Sequence, residues 1–560
     1  MNPKSFNLPS PEERHRLLRS PVDGKGLKLL VEAGLAWLMT NQQHVNSLNV
    51  FPVPDGDTGT NMVLTMQAAV DETENKLTRN VGQMMHNFAQ GALMGARGNS
   101  GVILSQIWRG FSRGLDNLPT MDTAQFANAM VEARNTAYKG VVRPVEGTIL
   151  TVMKDMTSAA EHASTANKTL AEALAEVVKA GDESVARTPD LLPILRQAGV
   201  VDSGGKGLFY IFEGMLRLIQ GQALDVSNAV IKPLSELDLS HTMEQVEEGQ
   251  DYEVVIDFEP NAGFSLEDYY AGLEGLGTSI QVGEGDGIYR MHIHTELEKR
   301  YEPVAYTETL GVVKKIMMEN LQEQMDARSQ AAESLNLNPV NPNEVAVVAV
   351  SPGKGLSQIF ASLGANAIVA GGQTMNPSVR DIVAAFRDLP TDKVIILPNN
   401  KNVFLAAQNA VKVSPKHVRV IPSRNAPQGF AAMLRLVPDA SLDENEAAMI
   451  EAIEEVHTGE ITVSTRSVEI DGVDVEKGEV IALFDGKLVA SARTMDEALQ
   501  KLFTAADLAR FERITFFYGE EMQAAQVNKV ADSVRAQFPL HEIEVHSGGQ
   551  PHYNYIIAFE

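Results

Sequence analysis

The 560-residue sequence contains no cysteine, which excludes both disulfides and thiolate metal sites. Long apolar runs are missing too, and nothing approaches the ~18–20 residues of a membrane span. Positive charge is scarce: 47 Lys and Arg stand against 73 Asp and Glu, a formal net charge of −26. That balance argues against a broad electrostatic grip on nucleic acid or anionic lipid, although a local basic pocket stays open. The first residues, with Pro3, Pro9 and Pro11 among charged neighbours, have no apolar h-region and do not read as a signal peptide. A soluble, cytoplasmic protein is the expectation. No Walker A sequence and no protein-kinase motif set occurs, so any nucleotide would bind on another scaffold.

What is present is ordinary apolar content, 44%, in a chain long enough for roughly three or four domains. From Gly26 to about Gln220 the apolar residues fall at helix spacing, as in Leu27, Leu30, Val31, Gly34, Leu35 and Leu38. Similar stripes at Val81–Met94, Val102–Phe111, Gln125–Tyr138, Ile149–Met156, Leu170–Val178 and Leu208–Ile219 predict an all-α bundle of about eight helices over 1–222. An acidic linker follows. Strand-like alternation at Tyr252–Phe258, Thr278–Val282 and Tyr289–His294, with helical patterns at Phe264–Leu276 and Val313–Met325, predicts a small α+β domain over 250–326. After a second linker, short apolar strands at Val345–Val350, Ala367–Ala370, Val394–Leu397 and Val418–Ile421 alternate with helices, the pattern of a parallel α/β sheet. Further strands and helices from Gly459 onward make a second α/β half, so 343–560 reads as one α/β region of two related halves. Each half carries a Gly-Gly-Gln, at Gly371–Gln373 and Gly548–Gln550.

The stretch richest in chemistry is Asn49-Val-Phe-Pro-Val-Pro-Asp-Gly-Asp-Thr-Gly-Thr-Asn61. Asp55 and Asp57 sit one residue apart on a Pro-stiffened loop, and Thr58, Gly59, Thr60 and Asn61 lead into a helix. Two hard carboxylate oxygens beside a helix N-terminus suit Mg²⁺ carrying phosphates, and an Asx-rich surface turn would carry the same residues. Three further polar or Gly-rich loops precede helices. Gly95-Ala-Arg-Gly-Asn-Ser-Gly101 offers Arg97, Asn99, Ser100 and Gly101 to a phosphate. Arg143-Pro-Val-Glu-Gly-Thr148 supplies Arg143, Gly147 and Thr148, and Val201-Asp-Ser-Gly-Gly-Lys-Gly207 supplies Asp202 and Gly204. Each alone reads equally as a helix cap; four in one bundle point to a common site.

Together these stretches resemble the DhaL-type helical kinase domain, related to the ATP-binding part of dihydroxyacetone kinases. With the later Gly-Gly-Gln-Thr-Met-Asn-Pro-Ser378, Pro-Asn-Asn-Lys-Asn402, Pro-Gln-Gly429 and Gly-Gly-Gln-Pro551 stretches, nearly the whole chain resembles the FakA-like family of bacterial fatty acid kinases. The resemblance implies an eight-helix kinase domain that binds ATP with Mg²⁺ and phosphorylates the carboxylate of a fatty acid presented by a FakB-type carrier. It implies Asp55 and Asp57 as metal ligands, with Asn49, offset by one residue, the nearest match to a third upstream ligand. Thr60, Asn61, Ser100 and Gly101 would meet phosphate, with Gly147, Thr148, Asp202 and Gly204 as further nucleotide contacts. Arg97 and Arg143 are candidates to stabilise the transferring group. The family's habit implies a homodimer, and its C-terminal region is implied to dock the carrier.

His292 and His294 lie two apart on a strand and so face one side, as shared metal ligands or as core histidines. The resemblance pairs such histidines with an upstream Cys for zinc; here Glu253 stands in that place, leaving a Glu-His-His zinc site as the expectation. Ser351-Pro-Gly-Lys-Gly355 invites a phosphate-loop reading, but a tight βα turn needs the same residues. Two other functions remain open at this stage: a kinase for dihydroxyacetone or another small polyol, and a nucleotide-binding regulatory scaffold.

Overall fold

The computed structural model describes residues 21–49, 56–74, 76, 78–141, 144–224, 232–233, 252–261, 263–285, 288–320, 335, 337–372, 376–464, 467–470 and 472–560. Its first part is all helical: α1 Gly24–Thr40, α2 Gln42–Ser47, α3 Thr58–Glu74, α4 Val81–Gly95, α5 Gly98–Gly114, α6 Thr123–Gly140, α7 Ile149–Thr165, α8 Leu170–Leu191, α9 Pro193–Gln197 and α10 Ser203–Gln220. The long helices are the apolar stripes of the sequence. The short α2 and α9, 6 and 5 residues long, carry no stripe long enough to read. Side-chain caps set the starts: Asp23 accepts from Gly26 N, Asn80 from Gln83 N, and Asp122 and Thr169 form capping boxes with Gln125 and Glu172. Gly221, at φ 70°, closes α10 in the left-handed conformation. Inside, Trp108 stacks on Phe212 at 6.2 Å and meets Phe88 edge-on at 5.3 Å.

The middle domain is a separate compact unit. Its sheet has the order β1-β3-β4-β2-β5, from β1 Lys232–Pro233, β2 Tyr252–Pro260, β3 Thr278–Gly285, β4 Ile288–Thr295 and β5 Gly311–Asn320, with helices α11 Leu266–Leu273 and α12 Glu302–Leu310. Val254, Ile256, Phe258, Met291 and Ile293 face one side and pack on Tyr269 and Leu273 of α11. The helix expected at Val313–Met325 is corrected here: Gly311–Asn320 is a strand, antiparallel to β2. Val313, Ile316 and Met317 fit helix spacing, but cross-strand pairing outweighs so weak a local preference. The helix lies just before, at Glu302–Leu310. Of the acidic linker, only 221–224 and 232–233 fall within the described residues.

The C-terminal region packs with the helical domain into one compact unit. Its first sheet is four-stranded and all parallel, order β7-β6-β8-β9, from β6 Ala346–Ser351, β7 Ala367–Ala370, β8 Lys393–Leu397 and β9 His417–Val420. Helices α13 Lys354–Ser362, α14 Val379–Arg387, α15 Phe404–Val413, α16 Ala426–Leu434 and α17 Leu442–Glu455 accompany it. Strand β6 is apolar from Ala346 to Val350 because it is buried on both faces. Val347 and Ala349 join one core, and Ala346, Val348 and Val350 join another. The second sheet, order β14-β13-β10-β17-β15-β16, is mixed. Its strands are β10 His457–Val463, β13 Val480–Phe484, β14 Lys487–Ala492, β15 Arg513–Tyr518, β16 Glu542–Ser547 and β17 Tyr553–Phe559. A hairpin of β11 Val468–Ile470 and β12 Val473–Val475, and helices α18 Met495–Ala506 and α19 Ala524–Gln537, complete it. The two halves share a core in which Phe430 touches both Phe360 (4.5 Å) and Phe517 (5.3 Å). The first half also covers part of the helical domain: Ala96 and Val102 belong to the same buried cluster as Val379, Val403, Ala406 and Ala407.

Candidate functional site

Helices α3, α5, α7 and α10 begin close together, and these are the helices that the four loops singled out in the sequence lead into. Ser203 Oγ, opening α10, donates to Thr58 Oγ1, opening α3, at 3.3 Å. Asp202 caps α10 by accepting from Gly205 N at 2.6 Å and also receives the Ile149 N–H that opens α7. Burial pushes the Asp202 carboxyl up to about 6, against the pull of those two N–H groups. Gly98 adopts φ +56° at the head of α5, and a Cβ there would fall 2.5 Å from Asn61 Nδ2 of α3. Thr148 caps α7 weakly, its Oγ1 accepting from Leu150 N at 3.4 Å. Gly147 (φ +83°) donates its N–H to Thr151 Oγ1.

Asp57 sits just ahead of α3, 7% exposed, with Thr58 and Asn61 buried beside it. A carboxylate so withdrawn from water needs donors or positive charge against it. Asn376, from the loop ahead of α14 in the C-terminal region, supplies one donor: its Nδ2 lies 2.5 Å from Asp57 Oδ2. Asp55 and Arg143 lie outside the described residues. Asn49 is placed at the end of α2, its N–H on Asn46 O at 3.1 Å.

Several groups expected to meet phosphate are already engaged within the fold. Asn46 of α2, which sequence reasoning missed, caps α3: its Oδ1 accepts from Gly59 N at 2.7 Å and Thr60 N at 3.2 Å. Thr60 Oγ1 in turn accepts from Gln42 Nε2 (2.9 Å) and Asn46 Nδ2 (3.1 Å). Gly101 is a helix contact, with a hypothetical Cβ 2.3 Å from Thr65 Oγ1, and Gly204 packs on Ile149. Arg97 turns to the C-terminal region, where Nη1 donates to Asn376 O at 3.3 Å and Nη2 lies 3.6 Å from Asp381 Oδ2. Asn99 Nδ2 donates to Asn402 Oδ1 at 3.1 Å. Asn46 sits in a stripe-less helix, and Asn376 is far along the chain, so neither carried a local signal.

The donor set fits a hard divalent cation. Asp57 gives a buried carboxylate, and Asn376 Oδ1 is a buried amide oxygen with no hydrogen-bond partner among the described residues. The convergent helix starts favour an anionic ligand beside it.

The zinc expectation at Glu253, His292 and His294 is not supported. The two imidazoles do meet, with ring centroids 4.9 Å apart, and both are fully buried. Among the described residues, however, no group of three His, Cys, Asp or Glu gathers to hold a metal ion, and the Glu253 side chain lies outside them. Burial, and then the neighbouring His294, push His292 down to about 3. It is therefore neutral in the folded state, whereas the unfolded chain takes up a proton below its ordinary 6.5. Stability present above pH 6.5 is lost as pH falls toward 3, at about 1.4 kcal/mol per pH unit. Thermal unfolding of the full chain between pH 7.5 and 4.5 should show this loss, and His292→Phe should flatten it. Equal slopes in both proteins would refute the assignment.

The Ser351–Gly355 loop is a close-packed βα turn. Leu356 N donates to Gly548 O at 3.0 Å, and a Cβ on Gly355 would come within 1.8 Å of Ser547 O, leaving no cradle for phosphate. No helix among the described residues is long and apolar enough to cross a membrane.

Comparison with known proteins matches three successive families. Residues 52–217 match the DAK2 domain, 249–328 the middle domain of FakA-like fatty acid kinases, and 346–560 the C-terminal domain of the same FakA-like proteins. An uncharacterized protein of Staphylococcus epidermidis (strain ATCC 35984) is 36% identical over 552 residues, 97% of this chain and 100% of its own. Among solved structures, the dihydroxyacetone kinase from C. freundii in complex with AMP-PNP and Mg²⁺ aligns at 18% identity over 36% of this chain and 35% of its own, TM-score 0.28. The Streptococcus pneumoniae Fatty Acid Kinase (Fak) B3 protein loaded with linoleic acid aligns at 13% over 33% and 76%, TM-score 0.25. The three domain matches in this order, with a relative matched end to end, make the chain a phosphotransferase that belongs to the FakA-like fatty acid kinase family.

Proposed function

We propose that the chain transfers the γ-phosphoryl group of ATP, with Mg²⁺, to the carboxylate of a fatty acid held by a separate FakB-type carrier, giving an acyl phosphate for phospholipid synthesis and ADP. The observation that carries this reading is the buried Asp57 carboxylate where four helices begin. Asp57, with Asp55 of the same motif, would hold the cation, which when bound supplies neutralisation of the triphosphate's charge. The helix starts, through their dipoles and the N–H groups that the caps do not take, would orient the phosphates. Ser100 and Asn61 are the side chains at those starts that we assign to phosphate contact.

No catalytic base is required. A fatty acid carboxylate is ionised near neutral pH, so positioning the acceptor in line and excluding water is the work left to the protein. The C-terminal region lies directly against the Asp57 site, which suits a role in presenting carrier-bound acceptor there. The carrier, in this reading, selects the acyl chain. The test is incubation of the purified chain with ATP, Mg²⁺ and oleate, with and without loaded carrier, trapping acyl phosphate as the hydroxamate. Carrier-dependent hydroxamate is expected. Carrier-independent transfer to dihydroxyacetone would overturn the substrate assignment, and nucleotide binding without turnover would point to a regulatory role instead.

A further inference from the structure

One side chain of the C-terminal region enters the Asp57 site, and its two ends are treated differently. Asn376 is 2% exposed. Its Nδ2 donates to Asp57 Oδ2 at 2.5 Å, while its Oδ1 is buried with no hydrogen-bond partner among the described residues. A buried amide oxygen left without a partner is costly, so this position is not explained by packing alone. Nor is the side chain needed to hold the two domains together. The backbone around it does that: Arg97 Nη1 donates to Asn376 O, and Val379 N donates to Ala96 O at 3.3 Å. Asn99 adds its contact to Asn402, and Ala96 and Val102 add apolar packing.

We propose that Asn376 is a cation-binding residue of the kinase site, its carboxamide oxygen joining Asp57 in holding the nucleotide's divalent cation. This rests on the reading of Asp57 given above. The chemistry is that of hard oxygen donors: a carboxylate and an amide carbonyl are both ordinary ligands of such cations. Turning the carboxamide about its Cβ–Cγ bond exchanges its near-isosteric ends and brings Oδ1 against Asp57 Oδ2. That contact is repulsive by itself and becomes favourable when a cation is shared. The same motion gives the buried oxygen a ligand and carries Nδ2 away from Asp57 to the place the oxygen leaves, so it is the cation that has to make the exchange favourable. The catalytic centre of the helical domain is then complete only with the C-terminal region docked, because the ligand arrives from outside that domain.

Binding of Mn²⁺ to the full-length chain at saturating non-hydrolysable ATP analogue, read from the electron paramagnetic resonance of free Mn²⁺, tests this without turnover. Asn376→Ala is expected to raise half-saturating Mn²⁺ by about tenfold or more. Asn376→Asp, which keeps an oxygen at that place, should bind at least as tightly as the wild type. Asn402→Ala, which removes the Asn99 contact of the same interface and keeps the Asn376 bond to Asp57, should stay within about twofold of wild type, well short of the expected loss. Wild-type binding by Asn376→Ala overturns the proposal. So does an equal loss in Asn376→Ala and Asn402→Ala, which assigns Asn376 to docking alone, or an equal loss in Asn376→Ala and Asn376→Asp. Asp57→Ala separates the two levels. If it keeps cation-dependent nucleotide binding, the site reading itself fails; if it loses binding while Asn376→Ala does not, only this proposal fails.

Discussion

Asp57→Ala is expected to abolish ATP-dependent phosphoryl transfer, by at least about a thousandfold, while the helical domain stays folded. The carboxylate is buried at 7% exposure where α3, α5, α7 and α10 begin, and no cluster of three His, Cys, Asp or Glu among the described residues could hold the ion in its place. Removing it takes away a full negative charge, and a water entering the space left could supply an oxygen ligand but not that charge. The fold has little to lose. The backbone bond from Asn61 N to Asp57 O, at 2.8 Å, opens α3 and does not involve the side chain. The caps from Asn46 also remain. The Asn376 amide gives up its acceptor across the domain boundary, but burying a carboxylate carries its own desolvation cost, which the substitution relieves. The melting temperature should therefore move little while the rate collapses. Full activity with purified carrier would sink the assignment of Asp57.

The parts of this architecture that were legible in the sequence are those written in local periodicity. Each long helix of the first domain shows an apolar stripe. Strands β6 and β8, in the interior of their sheet, show as short apolar runs because each is buried on two faces, and the edge strand β7 is a shorter apolar run, only partly buried. The loops of the site were legible because Gly, Ser, Thr and Asp gather just ahead of such stripes. Gly311–Asn320 was misread because Val313, Ile316 and Met317 satisfy helix spacing, and only pairing with β2 decides between the two. Asn46 and Gln42 were invisible for another reason. Their importance lies in contacts between α2 and α3, and α2 is too short for a pattern. Asn376 is separated from Asp57 by 319 residues, and nothing in the composition of either loop announces the other. The same long-range docking accounts for Arg97. Its place before α5 suggested a phosphate ligand, but its guanidinium is drawn to Asn376 O and toward Asp381.

Gly59→Ala should be the most damaging substitution that leaves every polar side chain of the site in place. Gly59 is the second residue of α3, and a Cβ there would lie 2.4 Å from Gln42 O and 2.8 Å from Asn46 Oδ1, both on α2. The first of these is a backbone carbonyl and cannot swing aside, so α2 and α3 must separate. Separation weakens the bonds from Gly59 N and Thr60 N to Asn46 Oδ1 and the bond from Gln42 Nε2 to Thr60 Oγ1. Overpacking of this kind costs about 1–3 kcal/mol, and loss of the cap about 1 kcal/mol more. Asp57 is two residues upstream, so the carboxylate moves with the helix start. A displacement approaching ~1 Å at a reacting centre costs on the order of a hundredfold in rate. Asn46→Ala supplies the comparison, since it removes the cap without adding a clash. It should lose about the cap's 1 kcal/mol and retain more activity than Gly59→Ala. Chemical denaturation and single-turnover transfer, measured on both variants, decide the matter. If Gly59→Ala matches the wild type in both, the tight α2–α3 contact does not position Asp57. If it loses stability but keeps its rate, the contact supports the fold without setting the geometry of the carboxylate.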